Sequence, residues 1–389
     1  MTYKHGAYAS EVGTNLIVPI ECTAGLQVIF GTAPKPSSKP ILAYSFDEAK
    51  EALGYSDDWD KYTLCEAMKV CFDLFNIAPV VFINVKTTDS EDEEITKDDI
   101  IRAIDTQLRQ IYPRFAMTAG IISAPKWSED AEVSSKLQSA CENINGVYSC
   151  ECIVDVDTEK AKTYQDVKTA KEAQGLTSKH CIACWPRVKV GSTVYHASAV
   201  VSALLAYTDA KNGDVPCLSP SNKLVSGITG LCLGDGSEVI LDQEQANIVN
   251  SFGIVTFLNI NGYRCWGNNT VAYPASSDPK DRWIMVRRFF TWRSNTLILT
   301  YFQKVDSPAN YRLIESIVDS ENINGNSFVA RQICAGYQVS FLKSENPITK
   351  ILDGTITFHI YLAPYTPAED IEFVLEFDPT AIENALGGE

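Results

Sequence analysis

Beyond Pro79 the chain alternates short apolar runs with longer stretches of helical period. Residues 80–85 form an apolar strand, and residues 98–111 predict a helix with Ile101, Ile104, Leu108 and Ile111 on one face. Further strands are predicted over 119–123, 148–156 and 179–185, with helices over 129–143, 164–173 and 196–207 between and after them. Upstream, residues 26–30 give a strand ending at Gly31, and TAPKPSSKP a turn-rich link. Residues 46–53 and 61–75 then read as helices, the second aligning Leu64, Met68, Cys71, Phe72 and Phe75. Apolar strands spaced by amphipathic helices indicate a largely parallel sheet with flanking helices, an α/β fold. Residues 1–20, with Gly6, Gly13 and Pro19, suggest an extended arm instead of a core element.

The pattern changes near the end. In TITFHIYL, Ile356, Phe358, Ile360 and Leu362 alternate with Thr355, Thr357, His359 and Tyr361. In IEFVLEF, Ile371, Phe373, Leu375 and Phe377 alternate with Glu372, Val374 and Glu376. Period two is the signature of half-buried strands. A strand so apolar, placed behind the spacer APYTPAED, needs a partner or becomes a sticky edge. An α+β C-terminal domain and extended β-strand arms at both termini are therefore expected.

With 389 residues, two or three domains are expected. A hydrophobic fraction of 45% provides for packed cores, and no apolar run reaches the length of a membrane span. The N-terminus lacks the apolar core of a secretion signal, so the chain reads as cytoplasmic and soluble. A net charge of −16 argues against nucleic acid as the main partner. The twelve cysteines are scattered and read as reduced, mostly buried thiols. Cys150 and Cys152 fall on one strand face, and His180, Cys181 and Cys184 offer a C-x-x-C spacing without a second ligand pair, so no metal or cofactor is expected. No nucleotide-binding glycine motif and no G-x-S-x-G elbow occurs. Of the four histidines (His5, His180, His196 and His359), His196 could join Ser198 or Ser202 in a hydrolase-like triad, an arrangement any chain this size offers. No enzyme activity is expected. The competing classes are an α/β hydrolase-like enzyme and a closed-oligomer scaffold.

The segments GNNTVAYPASSDPKD, VRRFFTW, NTLILTYFQKVD, LIESIVDSENING, DGTITFHIYLAP and PAEDIEFVLEFDP resemble the C-terminal region of phage tail sheath proteins, the contractile outer tube of myovirus tails and R-type bacteriocins. HGAYASEV, AGLQVIFGTAP and NGDVPCLSPSNK extend the resemblance over nearly the whole chain. It implies a subtilisin-like α/β sheath domain over 21–260 and a C-terminal α+β domain facing the inner tube over 261–364. An arm over 1–20 and another over 365–389 would then be exchanged with neighbouring subunits, with Tyr8, Val12, Ile371, Phe373, Leu375 and Phe377 as their contact residues. The implied partners are the protein itself as a helical polymer of stacked rings, the inner tail tube protein, and baseplate and tail terminator proteins, with neither nucleic acid nor membrane. The implied location is a virion tail assembled in the bacterial host cytoplasm, or the sheath of a phage-derived bacteriocin or injection particle. Where many sheath proteins insert an outward domain, this chain has only KTTDSEDEEITKDD; its Asp89, Glu91, Asp92, Glu93 and Glu94 lack calcium-loop spacing and read as a solvated run. The chain resembles a compact family member.

Between Arg264 and Arg312 eight Lys and Arg face three Asp and Glu, a surplus of five that leaves the remainder at −21. With a sheath in view, Arg282, Arg287, Arg288, Arg293, Lys304 and Arg312 are candidates to face the tube. A helix through this region would set Arg287 and Arg288 beside Thr291, Ser294 and Asn295, with Phe289, Phe290 and Trp292 inward. After Ser307-Pro308 a second helix would line up Arg312 with Glu315, Ser316 and Asp319. The alternative is ordinary arginines paired within the subunit.

Overall fold

A computed structural model of the chain describes Pro19, residues 22–88, Ser90 and residues 94–387. Its centre is an eight-stranded sheet. In chain order the strands are β1 (Gln27–Gly31), β2 (Ile41–Ala43), β3 (Val80–Asn84), β4 (Ile121–Ser123), β5 (Glu151–Asp155) and β6 (Cys181–Cys184). A smaller antiparallel sheet follows, built from β7 (Arg187–Val190), β8 (Thr193–Tyr195), β9 (Gly230–Cys232) and β10 (Glu238–Val239) in the order β10-β9-β7-β8. The hairpin β11 (Ile254–Asn259) and β12 (Tyr263–Trp266) returns to the large sheet, whose order is β12-β11-β6-β5-β4-β1-β3-β2. The six inner strands run parallel, and only the edge strands β2 and β12 are antiparallel. Strands β1, β3, β4, β5 and β6 are buried at every position, as a sheet covered on both faces requires.

The expected helices are present as α1 (Phe46–Leu53), α2 (Thr63–Met68, continued by a π-helical turn Lys69–Leu74), α3 (Lys97–Gln107) with the short α4 (Ile111–Phe115) after it, α5 (Ala131–Glu142), α6 (Val167–Ala173) and α7 (Ala197–Lys211); α8 (Gln243–Ser251) was not predicted. Helix α3 starts at a capping box between Thr96 and Asp99, and α8 at one between Asp242 and Gln245, each pairing backbone N–H groups the first turn leaves free. Helix α7 is apolar nearly all round and correspondingly buried, packing against β1, β4, β5 and β6. The Asp235-Gly236 pair closes the β9–β10 hairpin, with Gly236 at φ 85°.

The chain then forms α9 (Pro279–Arg282), α10 (Ile284–Tyr301), α11 (Tyr311–Ala330), β13 (Cys334–Ser340), α12 (Ile348–Leu352), β14 (His359–Pro364) and α13 (Pro379–Leu386). Because β12 belongs to the large sheet, the β11–β12 hairpin crosses the expected boundary at 260. Strand β14 starts at His359 instead of residue 355, since Asn346 takes the place of a partner strand just before it. Its Oδ1 accepts from Thr357 N and its Nδ2 donates to Thr357 O, both at 2.8 Å. Helix α11 begins at the Asn310 cap, whose side chain accepts from Leu313 N at 2.9 Å, three residues past the Ser307-Pro308 signal.

Candidate assembly interface

Two helices and one strand pair build the C-terminal unit. Strand β13 lies on α11, and the approach is close because position 325 is glycine: a Cβ there would run into the Tyr337 ring. Phe328 joins Phe289, Trp292 and Tyr337 at ring separations of 5.9–6.2 Å, so α10, α11 and β13 share one aromatic core. Strands β13 and β14 pair antiparallel, Val339 opposite Ile360, and among the described residues neither has a second neighbour. Both outer edges therefore present unpaired backbone donors and acceptors.

Beyond β14 the chain leaves the body. Arg282 holds Glu369 at 2.7 Å while Asn269 donates to the same carboxylate at 3.4 Å. After that tether the segment runs without strand pairing, and every residue from 371 to 387 is exposed. Ile371, Phe373, Leu375 and Phe377 are 67%, 84%, 95% and 77% exposed, which is an unusual state for large apolar side chains. The expected strand over 371–377 is not formed in the subunit; the segment is an exposed row of alternating apolar side chains. Helix α13, capped by Asp378, follows with Ile382 and Leu386 also exposed. Tyr8 and Val12 lie outside the described residues, as do His5, Asp89, Glu91, Asp92 and Glu93; Glu94 is described and exposed.

The basic candidates separate into two groups. Arg288 and Arg293 are each 2% exposed and bound inside the subunit, which removes them from any partner's reach. Arg288 grips Asp209 of α7 with both terminal nitrogens, at 2.9 and 2.5 Å, and reaches the Ala24 carbonyl at 3.1 Å. Burial pushes the Asp209 carboxyl up and the facing guanidinium pulls it back down. Arg293 pairs with buried Glu321 of α11, which also accepts from the hydroxyls of Tyr337 and Tyr301 at 2.9 and 2.8 Å. Arg287 is also buried, 3.5 Å from Asp281. Arg282 is committed to Glu369 and stacked on Tyr273 and Trp283. The polar side of α10 faces inward because the helix is wedged between α7 and the C-terminal unit, so Thr291 and Asn295 are buried with the arginines. Lys304 is half-buried and Arg312 exposed, and among the described residues neither has an ion pair. Both sit at the α10–α11 turn. The sequence reading missed Asp209 and Glu321, although an acid near the end of so apolar a helix as α7 is itself a sign of a buried cation.

The residues singled out for chemistry are not brought together. Ser198 Oγ lies 2.5 Å from Asp155 and not against His196, and both serine and aspartate are buried. His196 faces Glu66 at 2.8 Å; burial opposes its charge, but that carboxylate holds its pKa above the usual value. Cys181 and Cys184 share a short strand inside the sheet, and burial pushes both thiols up, away from the thiolate a nucleophile or zinc ligand needs. All twelve cysteines are buried free thiols. Among the described residues no group of three or more His, Cys, Asp or Glu is placed to hold a metal, and no helix is long and apolar enough to cross a membrane.

The α/β body thus carries an open-edged strand pair and an apolar chain end that has no strand partner among the described residues. No protein-family model matches the chain. A putative prophage major tail sheath protein of Pseudomonas aeruginosa is 24% identical over 97% of both chains. The tail sheath protein of Escherichia phage P2 is 23% identical over 95% of this chain and 94% of its own. In fold, the sheath of an extracellular contractile injection system in its contracted state superposes with a TM-score of 0.74 at 16% identity, covering 98% and 99% of the two chains. A sheath tail protein of Listeria innocua gives 0.60 at 11% identity, covering 90% and 94%. Over nearly its whole length the chain is thus similar in sequence to tail sheath proteins of phages, and it shares the fold of a contractile injection system sheath.

Proposed function

We propose that the chain polymerises through its ends into stacked rings around an inner tail tube, and that a baseplate trigger lets the rings rotate and shorten to drive the tube through a bacterial envelope. In this reading the sheath is capped by a tail terminator and assembles in the host cytoplasm. The observation that carries it is the apolar row Ile371, Phe373, Leu375 and Phe377, exposed in a chain that also has a two-stranded sheet with open edges. A strand of this kind completes a neighbour's sheet by edge addition: main-chain hydrogen bonds give affinity and alternate side chains give register. Burying the four side chains is worth about 1.5–3 kcal/mol each before ordering costs. A flexible tether of this type keeps subunits joined while their bodies slide, which suits a sheath that must shorten without falling apart.

The arms over 1–20 and 365–389 are the exchanged segments in this account, with Tyr8 and Val12 taking the N-terminal part. The remainder forms a subtilisin-like domain and a tube-facing C-terminal domain. With the inner arginines committed to the subunit, Lys304 and Arg312 at the α10–α11 turn are the cations left to meet the tube. Deleting everything after Pro367 should leave a folded, soluble subunit that no longer polymerises. Normal polymer from that truncation would refute strand donation.

A further inference from the structure

The surface also carries a cleft of about 490 Å³ whose lining includes none of the chain-end or basic candidates. Three separate pieces of chain line it. The loop after α1 brings Tyr55, Asp57 and Trp59; the π-helical turn after α2 brings Lys69 and Asp73; β8 brings Thr193 and Tyr195. The Trp59 and Tyr195 rings lie 5.1 Å apart at 49°, and Tyr55 is tilted on Phe46 at 5.3 Å. All of Tyr55, Trp59 and Tyr195 are only partly buried, so ring surface is open to the cleft. The polar groups are held in place as well. Tyr55 donates its hydroxyl proton to Asp57 at 2.9 Å, and Lys69 donates to Asp73 at 2.7 Å with its ammonium 4.7 Å from the Phe46 ring centre.

The charge and ring geometry narrow the ligand. At 5.1 Å and 49° the Trp59 and Tyr195 rings touch each other at an angle, so no cation fits between them as it would in an aromatic cage; the Trp59 indole supplies the larger flat face, a platform bordered by the inclined Tyr195 ring. An anionic ligand meets Asp57, Asp73 and the exposed Asp58 and Asp60, while the lysine lining the cleft is already matched by Asp73. A neutral ring with an apolar face and many hydroxyls fits what remains. Its C–H face would lie on the platform, and its hydroxyls would donate to the Asp57 and Asp73 carboxylates, which can only accept. The Thr193 hydroxyl and the Lys69 amine supply donors in return. The volume lies within the range of small-ligand sites. We infer that this cleft binds a neutral saccharide, independently of how the chain ends assemble.

The test titrates the full-length subunit with neutral trisaccharides (chitotriose, maltotriose and isomaltotriose), with a sialylated trisaccharide and with choline, by saturation-transfer NMR and calorimetry. At least one neutral sugar should bind saturably, and the sialylated sugar and choline should not. Trp59→Ala removes the larger platform face and should weaken binding about tenfold. Asp57→Asn changes an exposed side chain outside the core and should weaken it several-fold, with the thermal midpoint unchanged, so the site stays testable if Trp59→Ala fails to fold. Binding of none of the neutral sugars, preferential binding of choline, or neutral-sugar affinity indifferent to both substitutions would overturn the assignment.

Discussion

Replacing Arg288 by Met separates a structural arginine from a docking one. Arg288 and Asp209 are 2% and 1% exposed, and two charge-assisted hydrogen bonds join α10 to α7. The variant keeps most of the side-chain volume but leaves Asp209 buried without its cation. Breaking a buried pair from one side costs about 3–5 kcal/mol, a large share of the roughly 5–15 kcal/mol that keeps a domain folded. Replacing both partners, as Arg288→Met with Asp209→Leu, should recover most of the loss, because the penalty lies in the orphaned charge. The deficit also carries a pH signature. Without Arg288, the folded-state pKa of Asp209 rises further above its unfolded value of about 3.9, so the folded chain keeps a proton the unfolded chain releases. Stability of the variant should then fall as pH rises through that window, by up to about 1.4 kcal/mol per unit, and the deficit should shrink toward about pH 4. Urea unfolding followed by circular dichroism at several pH values measures all three. A loss below about 1 kcal/mol, or a deficit independent of pH, would show that the pair does not join the two halves.

Gly325→Ala should lower unfolding stability by about 1–3 kcal/mol despite the better helix propensity of alanine, since its Cβ has no room beside Tyr337; a stabilised variant would contradict the packing. Burial lowers the Lys171 ammonium to about 8 while its Nζ donates to the Phe252 and Tyr273 carbonyls at 2.6 and 2.8 Å. The unfolded chain keeps that proton to about pH 10.4, so wild-type stability should rise relative to Lys171→Met between about pH 8 and 10, and parallel pH profiles would refute the burial effect. Lys304→Glu combined with Arg312→Glu should weaken co-assembly with tubes while leaving the melting curve unchanged, as high salt does for exposed pairs worth about 0–1 kcal/mol each; unaltered sedimentation with tubes would remove these residues from the contact.

The α/β core was legible because its strands are predominantly apolar and its helices keep their period, so 46–53 and most of 97–107 needed no tertiary information. In the C-terminal tail, alternation over 371–377 reads as a strand, but the subunit leaves the segment extended and exposed, because pairing needs a partner that is not found among the described residues. The arginines were not. Spacing along α10 gives the face they share, but whether that face looks outward depends on Asp209, 79 residues earlier, and on Glu321, 28 residues later. A surplus of positive charge in one segment is equally compatible with a basic surface and with internal pairs to distant acids. Likewise, the Ser198 and His196 proximity in sequence placed them together, while the fold sends one to Asp155 and the other to Glu66.

The most direct test of a sheath subunit is negative-stain electron microscopy of the purified full-length chain at rising concentration, with and without tubes. The account predicts long hollow cylinders of stacked rings, lost in the truncation after Pro367. Monomers at every concentration, or small closed rings that persist in the truncated chain, would contradict it.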